Sequence, residues 1–212
     1  MHEGLEQFNG TEESIMRVLR LSYYCLPTEL QICFRYCCIF PQDYEFKKKE
    51  LIQMWMGSGL ISQHASGSQT FEDIGEQILV QLNKKSFFDL KTREEITFGG
   101  TEQEYYVMHD LMHDLARNVS TGECARITHP AMFKDDNCTV RHMCIANIHS
   151  FSVDEVRKIS NFKYLRTIII DDTAHGVEMD VIYALERVVQ SLKFLCLFCS
   201  RLVGNYKSTS LT

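Results

Sequence analysis

The fold class is decided by residues 86–108, where two short apolar segments, Ser86-Phe-Phe-Asp-Leu90 and Tyr105-Tyr-Val-Met108, enclose a charged, glycine-containing stretch from Lys91 to Glu104. Apolar runs of this length on either side of a polar segment predict two β-strands joined as a hairpin with a long tip. The segments on either side of this hairpin determine which architecture it belongs to.

Helical periodicity precedes the hairpin in four segments. The first follows Thr11 and ends around Tyr24, because Pro27 disfavours helical geometry in the residue before it. The others begin at Pro27, within Lys47–Lys49, and behind a Thr70–Asp73 capping box that opens a helix to about Lys84.

A further helix follows the hairpin from about Asp110 to Val119, and its inward face is predicted to carry Leu111, Met112, Leu115 and Ala116. Three helices followed by a two-stranded ribbon is the order of a winged helix. The predicted fold class is therefore mainly α with a small β wing.

After Gly122 the sequence changes to short apolar segments at residues 140–145, 165–170 and 192–198. The pattern Phe162-x-x-Leu165-x-x-Ile168-x-Ile170 has the spacing of a leucine-rich repeat. A stable stack of repeats needs at least about three units. We therefore expect residues 140–212 to be the truncated beginning of an α/β leucine-rich-repeat solenoid.

Composition excludes several classes of protein. A net charge of −6 over 212 residues disfavours a general binder of the nucleic-acid backbone. Nine cysteines form an odd count without a regular framework, which predicts a reducing compartment and buried thiols such as Cys33 and Cys37. The first ten residues lack the apolar core of a signal peptide, and no long apolar run occurs, so we expect a soluble intracellular protein.

The sharpest chemical feature is the segment Tyr106-Val-Met-His-Asp-Leu-Met-His-Asp-Leu-Ala116. Asp110 is a candidate N-cap, which would leave free backbone N–H groups and the positive end of the helix dipole beside His109. This arrangement predicts a phosphate contact. The alternative is a capped helix with a half-exposed histidine.

Enzymatic interpretations have weaker support. His109 and His113 have the i, i+4 spacing of two zinc ligands on a helix, but no third ligand lies at a recognised spacing. Met108 and Met112 are more typical of core packing. The sequence contains neither a P-loop nor a nucleophile elbow, so we expect no catalytic site and no bound metal.

The alternative function is that of a winged-helix DNA-binding protein, with residues 71–85 as the recognition helix. Lys84 and Lys85 at the end of that helix favour this interpretation. Glu72, Asp73 and Glu76 oppose it, because they would face phosphates at the other end of the helix.

Four segments of the sequence resemble the middle of plant nucleotide-binding, leucine-rich-repeat disease-resistance proteins, a resemblance that extends from about Glu13 to Leu202. Later segments, Val140–Ile145 and Tyr164–Ile170, look like first repeat strands of that family. The four segments are Leu21-Ser-Tyr-Tyr-Cys-Leu-Pro27, Cys33-Phe-Arg-Tyr-Cys-Cys-Ile-Phe-Pro-Gln-Asp-Tyr44, Glu50-Leu-Ile-Gln-Met-Trp-Met56 and Val107-Met-His-Asp-Leu-Met-His-Asp-Leu-Ala116.

This resemblance implies a domain organisation and a site. The Met-His-Asp motif of the family falls on Met108, His109 and Asp110. His109 would contact the β-phosphate of ADP, and Asp110 would hold the helix start in place. The implied regions are 1–29 as the end of the helical ARC1-like subdomain, 30–120 as the winged-helix ARC2-like domain of the NB-ARC module, 121–139 as a linker and 140–212 as the first leucine-rich repeats.

The implied activity is a switch in plant innate immunity. With ADP bound, the winged helix closes on the nucleotide-binding core, and exchange for ATP releases it. Implied partners are that core, an N-terminal signalling domain, and a pathogen effector or guarded host protein bound by the repeats; no nucleic acid is expected. The implied location is the cytoplasm, with the nucleus as a second compartment. Because the chain lacks a P-loop, ADP and ATP are expected in an intact parent receptor, and no cofactor is expected for this chain alone.

Overall fold

The chain divides into two compact units, residues 1–120 and residues 121–212. In the first unit, helix α1 is followed by three helices, a two-stranded ribbon and a last helix. The computed structural model describes residues 3–61, 69–94, 102–120, 122–133, 139–171, 178–191 and 196–199. The elements of the first unit are α1 (Glu3–Tyr24), α2 (Thr28–Tyr36) with a 3-10 turn (Cys37–Ile39), α3 (Lys48–Gly57), α4 (Phe71–Lys84), β1 (Asp89–Glu94), β2 (Glu102–Val107) and α5 (Asp110–Val119).

The order of helices and strands in the first unit is that of a winged helix, as the sequence predicts. The predicted capping box is present: the Thr70 hydroxyl accepts from the Asp73 N–H, and the Asp73 carboxylate accepts from the Thr70 N–H. The first helix begins at Glu3, earlier than its predicted start after Thr11. Pro27 is the N-cap of α2 and lies just outside the helix.

The hairpin differs from its predicted position. Strand β1 begins at Asp89, three residues after the predicted start at Ser86. Ser86 adopts a left-handed conformation with φ of 62°, which ends the turn after α4. Phe87 and Phe88 then insert into the core of the unit, so they belong to the approach to the strand. The tip of the hairpin, residues 95–101, lies outside the described residues.

The core of the first unit lies between α2, α3, α4 and the base of the ribbon. Helices α3 and α4 cross at Gly75, where the missing side chain lets Ile52 of α3 approach the α4 backbone. Phe46, just before α3, pairs with Tyr106 of β2 through two backbone hydrogen bonds of 2.8 Å. Phe46 thus lies beside β2 as a third strand of one residue. Buried side chains at this core include Phe34, Tyr36, Phe40, Leu51, Trp55, Leu79, Leu82 and Phe88.

The second unit is built on a parallel sheet whose four strands follow one another in chain order. The first of these strands lies inside residues 121–139, which were predicted to be a linker, and the other three begin a few residues later than predicted. The elements are β3 (Cys124–Ile127), β4 (His142–Ala146), α6 (Val153–Arg157), β5 (Thr167–Asp171), α7 (Met179–Ser191) and β6 (Cys196–Cys199).

The two faces of this sheet carry different side chains. One face packs Met143 and Ile168 against Val181 of α7 in an apolar core. On the other face, Arg126 of β3 reaches across β4 to Asp171 of β5, with 2.7 Å between Nη2 and Oδ2. The ion pair thereby joins three neighbouring strands.

Candidate functional site

The candidate site lies where the ribbon passes into α5. Met108 follows β2 and is buried in the core, with 2% of its surface exposed, as the sequence predicts. His109 comes next, in extended conformation (φ −61°, ψ 149°), and α5 begins at Asp110. Thus an exposed His109 is held between a buried methionine and the first turn of a helix.

The N-cap of α5 is His109, so the prediction that Asp110 caps the helix is wrong. The Nδ1 atom of His109 accepts a hydrogen bond from the Leu111 N–H at 3.4 Å. Asp110 is the first helical residue, and its exposed carboxylate lies in the first turn. There a negative charge is favourable with the helix dipole.

The backbone N–H groups in the first turn of α5 already donate hydrogen bonds within the helix start. The His109 carbonyl accepts from the N–H of both Met112 and His113, at 2.8 and 2.9 Å, and the His109 ring accepts from Leu111. The free N–H groups predicted beside His109 are therefore largely engaged. What the site offers outward is the other edge of the imidazole.

The hydrogen bond to Leu111 fixes the tautomer of His109. Because Nδ1 accepts a hydrogen bond from the Leu111 N–H, the neutral ring carries its proton on Nε2. His109 is exposed, and in this tautomer its Nε2–H is a hydrogen-bond donor that the helix backbone does not use. A phosphate oxygen is an acceptor that matches it.

His113, one turn further along α5, has a different environment. It is 5% exposed, and its Nε2 lies 2.9 Å from the Phe40 carbonyl oxygen. Its buried Nδ1 has no hydrogen-bond partner among the described residues. The two imidazoles therefore do not converge on one point, and the described parts of the chain contain no group of three or more His, Cys, Asp or Glu arranged to hold a metal ion.

The inward face of α5 is only partly the predicted one. Leu115 and Ala116 are buried as predicted, but Leu111 is 40% exposed and Met112 is half-buried. The inward face of α5 is instead turned toward His113 and Ser120, both of which are buried. The sequence does contain a signal for this, since His113, Ala116 and Ser120 have the i, i+3, i+7 spacing of one helix face.

Two basic side chains near α4 and the ribbon are paired with acidic ones. Lys48 lies against Glu76 of α4, and this contact raises the pKa of Lys48. Arg93 of β1 lies against Glu45 and over the ring of Tyr105, 5.3 Å from its centroid. These pairs reduce the positive charge that a DNA phosphate would meet on this surface.

The cysteines of α2 and the following turn are packing residues. Cys33 and Cys37 are fully buried, and burial raises the pKa of both thiols. A raised pKa keeps a thiol protonated and unreactive. Cys196 and Cys199 lie on β6, and their side chains fall outside the described part of the structure.

Within the described ranges, no helix has the length and apolar character that crossing a membrane requires.

Comparison with known proteins identifies the first unit. Residues 39–116 match the model of the disease resistance protein winged helix domain. A putative disease resistance protein of Arabidopsis thaliana is 37% identical over 169 residues, which are 77% of this chain and 11% of the relative. The disease resistance protein RGA2 of Solanum bulbocastanum is 41% identical over 108 residues, 51% of this chain and 10% of the relative.

A third relative, the putative disease resistance protein RGA4 of Solanum bulbocastanum, is 35% identical over 156 residues, or 73% of this chain and 15% of the relative. The chain thus spans between 10% and 15% of the length of these three relatives. The match to the domain model covers α3, α4, the ribbon and most of α5, which are the elements that hold His109. The chain belongs to the plant disease resistance proteins, and residues 39–116 are its winged helix domain.

Proposed function

We propose that this chain is a regulatory segment of an intracellular plant immune receptor that acts in the defence response to pathogens. In this proposal, Met108, His109 and Asp110 contribute to a switch controlled by ADP and ATP in the intact receptor. The observation that carries it is the exposed Nε2–H edge of His109, left available because Nδ1 is occupied by the Leu111 N–H.

Each residue of the motif has a distinct task. His109 donates from Nε2 to the β-phosphate of ADP, and because the acceptor is charged this bond is stronger than a neutral one. Asp110 stabilises the first turn through the helix dipole, which keeps the His109 backbone in its capping position. Met108, buried in the core, anchors the strand that leads to His109.

The switch depends on a difference in binding between two arrangements. ADP bound by the nucleotide-binding core and by His109 favours the arrangement in which the winged helix closes on that core. ATP favours the released arrangement, and the populations shift by the difference in affinity. This chain contributes one donor to the nucleotide, so we expect it to bind neither ADP nor ATP when isolated.

The second unit is proposed to begin a leucine-rich-repeat array. Four parallel strands in chain order support this, with α6 between β4 and β5 and α7 between β5 and β6, because each repeat of a solenoid adds one strand beside the previous one. Through these repeats the receptor would bind a pathogen effector or a guarded host protein. Its other partners are the nucleotide-binding core and the N-terminal signalling domain, and its proposed location is the cytoplasm and the nucleus.

The test is made in an intact receptor. This chain replaces the matched segment of the Arabidopsis thaliana relative that is 37% identical to it, and the dissociation rate of fluorescent ADP is measured. In the His109→Ala variant we expect ADP to dissociate about tenfold faster, since a hydrogen bond to a charged group contributes about 1.5 kcal/mol or more.

The matched control is His129→Ala in the second unit. His129 is also an exposed N-cap whose Nδ1 accepts a backbone N–H, that of Ala131 at 3.3 Å. This variant loses the same type of cap, and its ADP dissociation rate is expected to equal that of the unmodified chimera. An unchanged rate in His109→Ala would contradict the role proposed for His109.

A further inference from the structure

The second histidine of the motif segment, His113, has no role in the function proposed above. Its ring is buried, yet it makes a hydrogen bond with a main-chain atom distant in sequence, the Phe40 carbonyl. A carbonyl oxygen accepts, so Nε2 of His113 carries the proton and donates. The buried Nδ1 has no hydrogen-bond partner among the described residues, so the ring makes a single hydrogen bond at this place.

The acceptor of that bond is held rigidly. Phe40 ends the 3-10 turn after α2, is 2% exposed, and packs against the rings of Tyr36, Tyr44 and Phe46, with centroids between 4.6 and 6.3 Å apart. Aromatic pairs of this kind restrict ring motion in a core. The Phe40 carbonyl is therefore a fixed reference point for α5.

His113 connects this reference point to His109 in two steps. Its side chain binds the Phe40 carbonyl, and its own backbone N–H donates to the His109 carbonyl at 2.9 Å. The capping geometry of His109, with Nδ1 on the Leu111 N–H, depends on the position of that first turn. On its other side His109 adjoins the buried Met108.

We infer that His113 is a positioning residue for His109: it orients the imidazole that the proposed switch presents to phosphate. This inference rests on the function proposed for His109, but it concerns a contact within the chain itself. It can therefore be tested without a nucleotide or a parent receptor.

The test compares two amide substitutions of different reach in the full chain. In His113→Gln the side-chain amide nitrogen lies near the position of Nε2 and can donate to the Phe40 carbonyl. In His113→Asn the amide is one carbon shorter and cannot reach it. The readout is the exchange rate of the Leu111 amide proton with water, measured by nuclear magnetic resonance, because that proton is held by the His109 ring.

We expect the Leu111 amide to exchange about fivefold faster in His113→Asn, the fold-change that corresponds to losing an N-cap of about 1 kcal/mol. In His113→Gln the rate is expected to remain that of the wild type. The Ala131 amide, held by His129 in the same capping geometry, serves as an internal control and should not change in either variant. The Leu79 amide, in the buried part of α4, reports overall opening of the unit.

Two results would overturn the inference. One is an unchanged Leu111 rate in His113→Asn, and the other is an acceleration of Leu111 and Leu79 by the same factor, which is the signature of a purely structural role. Should His113→Asn fail to fold, the wild-type ring decides the matter. A His113 proton on Nε2 with a coupling to the Phe40 carbonyl supports the inference, and a proton on Nδ1 refutes it. Failure of the ADP experiment on His109 leaves each of these results unchanged, so the two proposals fail separately.

Discussion

Replacing Gly75 by alanine tests whether the contact between α3 and α4 is as close as the structure indicates. A Cβ atom at residue 75 would lie 2.6 Å from Cγ2 of Ile52 and 3.0 Å from Cδ1 of Ile61. Carbon atoms in van der Waals contact are about 3.5 to 4.0 Å apart, so the overlap with Ile52 is about 1 Å. The Ile61 atom is the end of a side chain and can move aside.

Two opposing energies determine the result. Alanine is favoured over glycine inside a helix by about 1 kcal/mol. Against this, Ile52 is β-branched and stiff at χ1 in a helix, so its Cγ2 methyl cannot rotate away and the two helices must separate. Overpacking of this type costs about 1 to 3 kcal/mol. We expect Gly75→Ala to reduce the free energy of unfolding by about 1 kcal/mol after the helix gain is subtracted.

The assay is urea unfolding of the full chain, followed by the fluorescence of Trp55. The chain has one tryptophan, and it is fully buried in α3, so the signal reports the first unit. In an Ile52→Ala background the methyl group is absent, and there Gly75→Ala is expected to be stabilising by about 1 kcal/mol. If Gly75→Ala stabilises both backgrounds equally, the close approach between the helices is refuted.

Two further predictions concern titration and thiol reactivity. The Thr70 N–H lowers the pKa of Asp73, so the stability this carboxylate contributes is present above its unfolded pKa and is lost as the pH falls through the lowered folded value. Asp73→Asn should therefore flatten the stability curve below about pH 4, measured by urea unfolding at several pH values. For the thiols, the exposed Cys25 is expected to react with iodoacetamide at pH 8 in the folded chain, while the buried Cys33 remains unmodified until urea unfolds the protein, as followed by mass spectrometry. Equal labelling of both thiols in the folded chain would contradict the described burial.

Local patterns in the sequence predicted the elements that depend on local chemistry. The Thr70–Asp73 capping box and the end of the first helix at Tyr24, before Pro27, are determined by residues within one or two helical turns, and the structure has both. The start of β1 depended on a tertiary contact. Phe87 and Phe88 have a strand-like sequence, but both side chains are buried in the core and the strand begins only after them, at Asp89.

The candidate site divides in the same way. The position of His109 at a helix start could be predicted from its neighbours, whereas its capping role could not, because aspartate is the commoner N-cap and stood next to it in the sequence. The spacing of His113, Ala116 and Ser120 places them on one helix face, but the acceptor that satisfies the buried His113 ring, the Phe40 carbonyl, is 73 residues away in the chain and could not be predicted. A buried polar side chain needs a hydrogen-bond partner, and a partner that is distant in sequence becomes visible only in the folded structure.

The backbone pair between Phe46 and Tyr106 links the start of α3 to the strand that leads to Met108, His109 and Asp110. Phe46 lies directly before the α3 N-cap Lys47, and Tyr106 is two residues before Met108. Two hydrogen bonds of 2.8 Å join them, so the backbone just before α3 is tied to the end of β2, close to His109. In the proposed switch, substitutions at the start of α3 and at His109 are then expected to have the same effect, although no α3 residue is proposed to contact the nucleotide.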